Sequence, residues 1–268
     1  MTTGRAGGRR AAVAAAALVL GLVGCSENED AGAANEGTPS PKATAEERPG
    51  TALERRSPNE IMAAGLEAVR QLDSARVRIT LGTLESDVLV AGDGSCRGSL
   101  SQPTVGSVDV RSVDGQDLYL KGDEGFWRTR YDLPEDRPDR LVDLLTERWI
   151  DVSGIEDPGD FCALDVFDEI SRESLDSERW LTNGEPLTHV GVEAIPIVSL
   201  GSMRSVEALI ANDDDAPYLL EVKRISGDHV THRVAMSDFN GPVEVVAPPD
   251  ALDPGDVDGL AELLAAGV

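Results

Sequence analysis

The chain has 268 residues, of which 49 are acidic and 24 are lysine or arginine, so its formal net charge is −25 at pH 7. Nucleic-acid phosphates and anionic membrane surfaces would repel so negative a protein, which argues against both as partners bound by charge. Three histidines and three cysteines leave little material for catalytic or metal chemistry.

The N-terminus has the layout of a bacterial lipoprotein signal. Three arginines precede an apolar run over residues 11–23, which is too short to span a bilayer, where about 20 apolar residues are needed. The run ends in the lipobox Leu22-Val23-Gly24-Cys25. The sequence predicts a cleaved signal over residues 1–24 and a lipid-modified Cys25 that anchors the protein on the extracytoplasmic face of the cell membrane. The alternative is an incidental thiol beside an ordinary signal peptide.

A polar segment follows Cys25. Residues 26–56 are rich in Ser, Asn, Glu, Gly, Ala, Thr and Pro, and they offer almost nothing to bury. Such a composition favours disorder, because too little apolar burial is available to offset the entropy lost on ordering. We expect residues 25–56 to be a lipidated cysteine and its tether, with a reach of roughly 30 Å, and residues 57–268 to be one domain.

The domain is predicted to open with a helix. Ser57-Pro58-Asn59-Glu60 combines an N-cap serine, a proline at the first helical position and a glutamate three residues after the cap. Apolar residues then recur at helical spacing, among them Ile61, Met62 and Leu66. This apolar side predicts that the helix packs on another layer.

Alternating segments come next. Val77, Ile79 and Leu81 are separated by polar residues, and Val88 and Val90 repeat the pattern. A period of two predicts strands with one wet face. Further alternation over 108–113 and 118–121 surrounds Asp114-Gly115, a hairpin turn signal, and residues 122–125 are predicted to form another turn before Phe126-Trp127.

The middle of the chain is predicted to be more helical, with helices capped by Asp136 and Asp160. Strands are then predicted from Trp180 onward, over 206–211, 219–225, 230–236 and 243–246, and a short helix over 256–267. The expected fold class is α+β: one large antiparallel sheet with helices laid across one face.

Two cysteines remain if Cys25 carries lipid. An exported chain sits outside the reducing cytosol, so Cys96 and Cys162 are expected to form a disulfide. Free buried thiols are the alternative. A redox-active role is disfavoured because the chain has no Cys-x-x-Cys motif.

Catalytic signatures are lacking. The sequence contains no Gly-x-Ser-x-Gly, no phosphate loop and no dinucleotide fingerprint. His229 and His232 should point to opposite faces of one strand, and residues 213–215 are typical of a solvated hairpin end. No enzyme activity, cofactor or metal site is predicted, and the sequence displays no cationic cluster for an anionic headgroup.

The order of several short motifs resembles a known family. Behind the lipobox, Gly94-Ser95-Cys96-Arg97-Gly98 is followed by Leu118-Tyr119-Leu120-Lys121-Gly122, then by Ala216-Pro217-Tyr218-Leu219-Leu220, and finally by Met236-Ser237-Asp238-Phe239 and Ala247-Pro248-Pro249. This order resembles the LolA-like lipoproteins of the LppX/LprG type, a family of actinobacterial lipid-binding lipoproteins.

The resemblance implies a half-barrel, in which helices cover the concave face of a strongly curved antiparallel sheet. An apolar cavity between the two layers would take a lipid or another hydrophobic molecule. The candidates for lining it are Val77, Ile79, Leu81, Val88, Val90, Leu118, Leu120 and Trp127, with Ile61, Met62 and Leu66 from the first helix. The expected protein is a monomeric, membrane-anchored carrier of the cell envelope. The alternative is a ligand-free adaptor or scaffold that binds an envelope protein partner.

Overall fold

One antiparallel sheet dominates the computed structural model, which describes residues 50–130, 139–162, 181–200, 204–257 and 259–266. Eleven strands follow one another in the order β6-β5-β4-β3-β2-β1-β12-β11-β10-β9-β7, and β8 pairs with β9 off this path. The strands at the two ends of this order, β6 and β7, do not pair with each other, so the sheet is unclosed. The expected α+β class with a large curved antiparallel sheet is confirmed.

The strands are short to medium in length. Their bounds are β1 Ser74–Leu81, β2 Leu84–Ala91, β3 Cys96–Gln102, β4 Gly106–Val113, β5 Asp117–Gly122, β6 Ile150–Asp151, β7 Leu181–Asn183, β8 Leu187–His189, β9 Val192–Leu200, β10 Arg204–Ala211, β11 Leu219–Ser226 and β12 His229–Ser237. The described α-helices are α1 Pro58–Arg70, α2 Glu124–Arg130, α3 Asp139–Leu145, α4 Gly159–Cys162 and α5 Leu260–Ala266.

Helix α1 begins where the sequence predicts. The Ser57 side chain accepts a hydrogen bond from the Glu60 backbone, and the Glu60 carboxylate accepts one from the Ser57 backbone, which completes a capping box. The buried side of α1 packs against β10 and β11. A Cβ on Gly65 would lie 2.6 Å from Cδ1 of Ile210, so the glycine allows this close approach of helix to strand.

The turn predicted over residues 122–125 is wrong. Phe126 and Trp127 lie on helix α2 instead of following a tight turn. The cause is Asp123, whose carboxylate accepts hydrogen bonds from the backbone of Phe126 at 2.8 Å and of Ser107 at 2.8 Å. Asp123 therefore caps the helix and ties it to β4.

The predicted strand over 243–246 is also wrong, because this segment pairs with no other strand of the described chain. Pro242 removes one backbone donor just before it, and Val246 is 71% exposed. The helix proposed from Asp160 falls mostly on residues 163–180, and the cap Asp136 of the preceding helix falls on 131–138; both lie outside the described residues.

The folded part starts earlier than the sequence suggests. A 3-10 helix, Leu53–Arg55, precedes α1, and Leu53 is buried in the main core. Asp214, in the β10–β11 turn, accepts hydrogen bonds from the backbone of Leu53 at 2.6 Å and of Ala52 at 2.9 Å. These bonds from Ala52 and Leu53 hold the pKa of Asp214 below its ordinary value, despite some opposing desolvation. The acidic turn thus fastens the start of the folded unit.

Candidate functional site

The inner face of the sheet is built from cross-strand rows of apolar side chains. In one row, Ala75 on β1 lies beside Val90, which lies beside Cys96 on β3. In the next row, Val77 lies between Met236 and Val88. Both rows belong to the main hydrophobic core. Register, set by the alternation of these strands, therefore brings the predicted apolar residues to one face.

Burial decreases along this face. The rows of Ala75 and Val77 are closed, because these side chains are 0% and 2% exposed. Two residues further along β1, Ile79 is only partly buried, and at the end of the strand Leu81 is 42% exposed. We call the region of the inner face around the β1–β2 turn the open end. The apolar residues at or next to it are Ile79, Leu81, Leu84, Leu100 and Val206.

The residues predicted to line a cavity divide into two groups. Ile79 and Leu81 lie at the open end, where the register places Leu81 between Leu84 and His232. The other nine are less than 8% exposed and share one core: Ile61, Met62, Leu66, Val77, Val88, Val90, Leu118, Leu120 and Trp127. Side chains so fully covered leave little accessible space beside them for water or for a ligand. Their role in lining a cavity therefore stays a prediction.

Helix α2 closes the other half of the inner face. Trp127 is fully buried, and its indole Nε1 donates a hydrogen bond to the Gly122 carbonyl oxygen at 3.1 Å. Phe126 packs edge-on against the same ring, with the centroids 5.1 Å apart. The bond to the end of β5 fixes the indole against the sheet, where it fills the interior.

The disulfide predicted from the sequence is confirmed. Cys96 on β3 and Cys162 at the end of α4 are bonded, with their Cα atoms 5.6 Å apart and both side chains buried. The link ties the segment that follows β6 to the middle of the sheet.

No reactive constellation is found in the described ranges. No group of three or more His, Cys, Asp or Glu side chains there fits a metal ion. His229 is exposed, and His232 lies on the inner face beside Leu81, where its Nδ1 is 3.0 Å from the Thr231 hydroxyl. What the inner face offers at its open end is therefore apolar contact area with two polar residues at its edge, His232 and Arg224, the second of which the register places between Val206 and His232.

The outer face carries charges that sequence reasoning did not bring together. The guanidinium of Arg76 makes two hydrogen bonds to the Asp87 carboxylate, at 2.7 and 2.8 Å, and Arg78 makes another at 3.1 Å. Because of the hydrogen bond from Arg76 above all, the pKa of Asp87 lies below its ordinary value. The alternating pattern contained this signal, since Arg76 and Arg78 share the wet side of β1.

A second charged group lies on the outer side of β11. The carboxylate of Glu221 is almost fully buried and contacts Lys223, at 2.5 Å, and Arg233. Burial opposes its ionisation, but the hydrogen bonds from the two cations outweigh burial and leave the pKa of Glu221 lowered. This ion network braces β11 against β12.

An apolar groove of about 490 Å³ also lies on the outer face, between the β8–β9 hairpin and β12. Val190 and Val192 contribute one wall, and Leu220, Ala235 and Phe239 contribute to the other. Val190 is 90% exposed and has a positive φ of 47°. Local sequence patterns do not indicate this groove, because it arises from a hairpin folding back over the sheet.

No family model matches this sequence, and no curated protein matches it. Solved structures of other proteins are similar in fold, among them the following three. Lipoprotein LppX of Mycobacterium tuberculosis is 15% identical, with 71% of this chain and 100% of that chain covered and a TM-score of 0.42. The MucB chain or MucA chain matched in the Pseudomonas aeruginosa MucA/MucB complex is 15% identical, with 70% of this chain and 59% of that chain covered and a TM-score of 0.34.

The third is an uncharacterized conserved protein of Thermus thermophilus, which is 10% identical. The match covers 74% of this chain and 98% of that chain, with a TM-score of 0.36. All three identities are at most 15%, so the likeness concerns the fold alone. Within the described part of the chain, no helix has both the length and the apolar character needed to cross a membrane.

Proposed function

We propose that this protein is a non-enzymatic, lipid-anchored lipoprotein of the cell envelope that binds a hydrophobic molecule at the open end of its inner sheet face. The observation that carries the proposal is the decrease in burial along β1, from Ala75 at 0% to Leu81 at 42% exposure. Apolar side chains left uncovered at one end of an otherwise closed interior are the surface that an acyl chain would cover.

The binding would be non-covalent. Each methylene of an acyl chain that leaves water for this surface contributes about 0.8 kcal/mol. Leu81, Leu84 and Ile79 would provide the first contacts, and deeper entry would require the covered rows to part. Branched aliphatic side chains suit a flexible chain better than a flat ring system, since they offer no face for stacking.

A second candidate function is a ligand-free adaptor. The observation that favours it is the tight burial of Val77, Val88, Leu118 and Leu120, which fill the closed half of the interior themselves. Such a protein would present its surface to another envelope protein instead of carrying a ligand.

Native mass spectrometry of a soluble chain beginning at Ser26, incubated with phospholipid and fatty acid, distinguishes the two. The carrier predicts saturable adducts; the adaptor predicts an unmodified mass at every lipid concentration. A chain starting at Ser57 should not be used, because Leu53 belongs to the core.

Two matched variants locate the binding. Leu81→Asp places a charge at the open end. We expect it to reduce the adduct fraction about tenfold or more, because a bound acyl chain would cover the carboxylate and removing a charge from water is costly. Val192→Asp is the control, since Val192 is exposed to nearly the same degree, 44%, but lies on the outer face. Equal loss in both variants, or loss in Val192→Asp alone, would contradict binding at the open end.

A further inference from the structure

Two arginines face each other on the outer side of the sheet. Arg97 on β3 is the register partner of Arg111 on β4. Like charges directly opposite each other on neighbouring strands are destabilising. Arg111 lies over the Trp149 ring, 4.5 Å from its centroid, and this stacking holds its guanidinium in place. Arg97 is exposed and has no ion pair or hydrogen bond among the described residues.

These arginines line an open basin of about 450 Å³. Arg76 lies in the same basin, but its guanidinium is engaged by Asp87 and also lies 3.9 Å from the carboxylate of Asp238, which lines the basin too. Asp109 also lines the basin and has no ion pair within the described ranges. Neither Arg97 nor Arg111 has an ion pair with a carboxylate of the described residues, although the chain has twice as many acids as bases.

We propose that this basin binds a phosphate group, held by Arg97 and Arg111. A guanidinium presents its N–H donors in a planar fork that matches the oxygens of a phosphate, and two forks on adjacent strands can share one anion. The anion would also remove the repulsion between the two cations. Its source is either a soluble phosphate ester or the headgroup of a phospholipid.

The site is separate from the open end, because odd-numbered residues of β3 face outward while Cys96 and Leu100 face inward. Failure of one proposal therefore leaves the other intact. The closed inner rows lie between the two sites, so a ligand at one is not in contact with a ligand at the other.

Calorimetric titration of the chain from Ser26 onward with glycerol phosphate, at constant ionic strength, tests the proposal. Saturable binding is expected, and Arg97→Gln and Arg111→Gln should each weaken it about tenfold. Asp109→Asn should tighten it, because a repelling carboxylate is removed. The control is Arg148→Gln, since Arg148 is exposed beside Trp149 but does not line the basin.

A parallel arm uses vesicles of phosphatidylglycerol in phosphatidylcholine. Vesicle binding that Arg97→Gln weakens, without binding of glycerol phosphate, assigns a headgroup as the ligand, whereas vesicle binding that Arg97→Gln leaves unchanged belongs to the open end and overturns this proposal. Binding to glycerol phosphate alone assigns a soluble ester. Thermal unfolding of Arg97→Gln without ligand adds a second readout. Because the substitution relieves repulsion between the two arginines, the melting temperature should stay the same or rise, whereas loss of a purely structural residue would lower it. No binding in either arm, or equal weakening in Arg148→Gln, overturns the proposal.

Discussion

Cys162 at the end of α4 is bonded to Cys96 in the middle of the sheet, across 66 residues of sequence. The loop between them contains β4, β5, α2, α3 and β6. One covalent bond therefore restrains four of the twelve strands, β3 to β6, and the helices α2 and α3 between them.

Replacing both cysteines by serine should lower the free energy of unfolding by about 4 kcal/mol, because the unfolded chain regains the entropy of a long open loop. Denaturant unfolding of the oxidised protein and of the double variant measures the difference. The reduced wild-type chain is the matched control and should unfold with the variant. A double variant as stable as the oxidised protein would contradict the expectation.

The hydrogen bonds from Arg76 and Arg78 to Asp87 predict a pH dependence of stability. The pKa of Asp87 is lower in the folded chain than its ordinary value of 3.8, chiefly because of Arg76. The contribution of Asp87 is therefore fully present above the ordinary pKa, and it is lost as the pH falls through the lower folded value.

The difference in unfolding free energy between the wild type and Asp87→Asn should consequently be constant near neutral pH and shrink below about pH 4. Urea unfolding at a series of pH values gives this difference. Asp117→Asn removes an exposed carboxylate without a hydrogen bond within the described chain and serves as the comparison. A difference that grows on acidification would refute the assignment.

Gly98 marks a point where β3 approaches β2 closely. A Cβ at this position would lie 2.2 Å from the Asp87 carbonyl oxygen and 2.6 Å from the Cα of Val88. Both are backbone atoms of a central strand, so Gly98→Ala should destabilise the fold by about 1–3 kcal/mol, as measured by denaturant unfolding. Gly82→Ala, at a turn with open space around it but a positive φ, separates steric crowding from backbone strain.

The proposed lipid anchor at Cys25 predicts that its replacement changes the compartment of the protein. Cys25→Ser should abolish metabolic labelling with palmitate and move the protein from the membrane fraction to the soluble fraction, since no other acylated residue is proposed. Fractionation and labelling of cells that express the two forms check this. Membrane retention of the serine variant would show that something other than the proposed lipid holds the protein.

Much of the fold follows from local patterns. The capping box at Ser57 and the alternation of Val77, Ile79 and Leu81 each determine an element with one apolar side, and β1 has the predicted faces. The pairing of Cys96 with Cys162 follows from the expected export out of the reducing cytosol and from the two cysteines that remain once Cys25 is assigned to lipid. These features depend on neighbours in sequence or on a count, which a single chain reveals.

Long-range partners are harder to predict. Local spacing places Asp123 in a turn, but its contact with Ser107 makes it a helix cap. Local composition makes Asp214 a solvated hairpin residue, but it binds the backbone of Leu53, 161 residues away. Arg97 and Arg111 become neighbours only through strand register. Each of these contacts depends on which distant segment packs beside the residue, and local spacing does not predict that segment.

The bonds of Asp214 to Ala52 and Leu53 also determine at which end of the sheet the folded chain begins. The β10–β11 turn lies at the end of the sheet opposite Leu81, about 25 Å away along strands of eight residues. Ala52 and Leu53 are therefore fastened at the end of the sheet opposite the exposed Leu81.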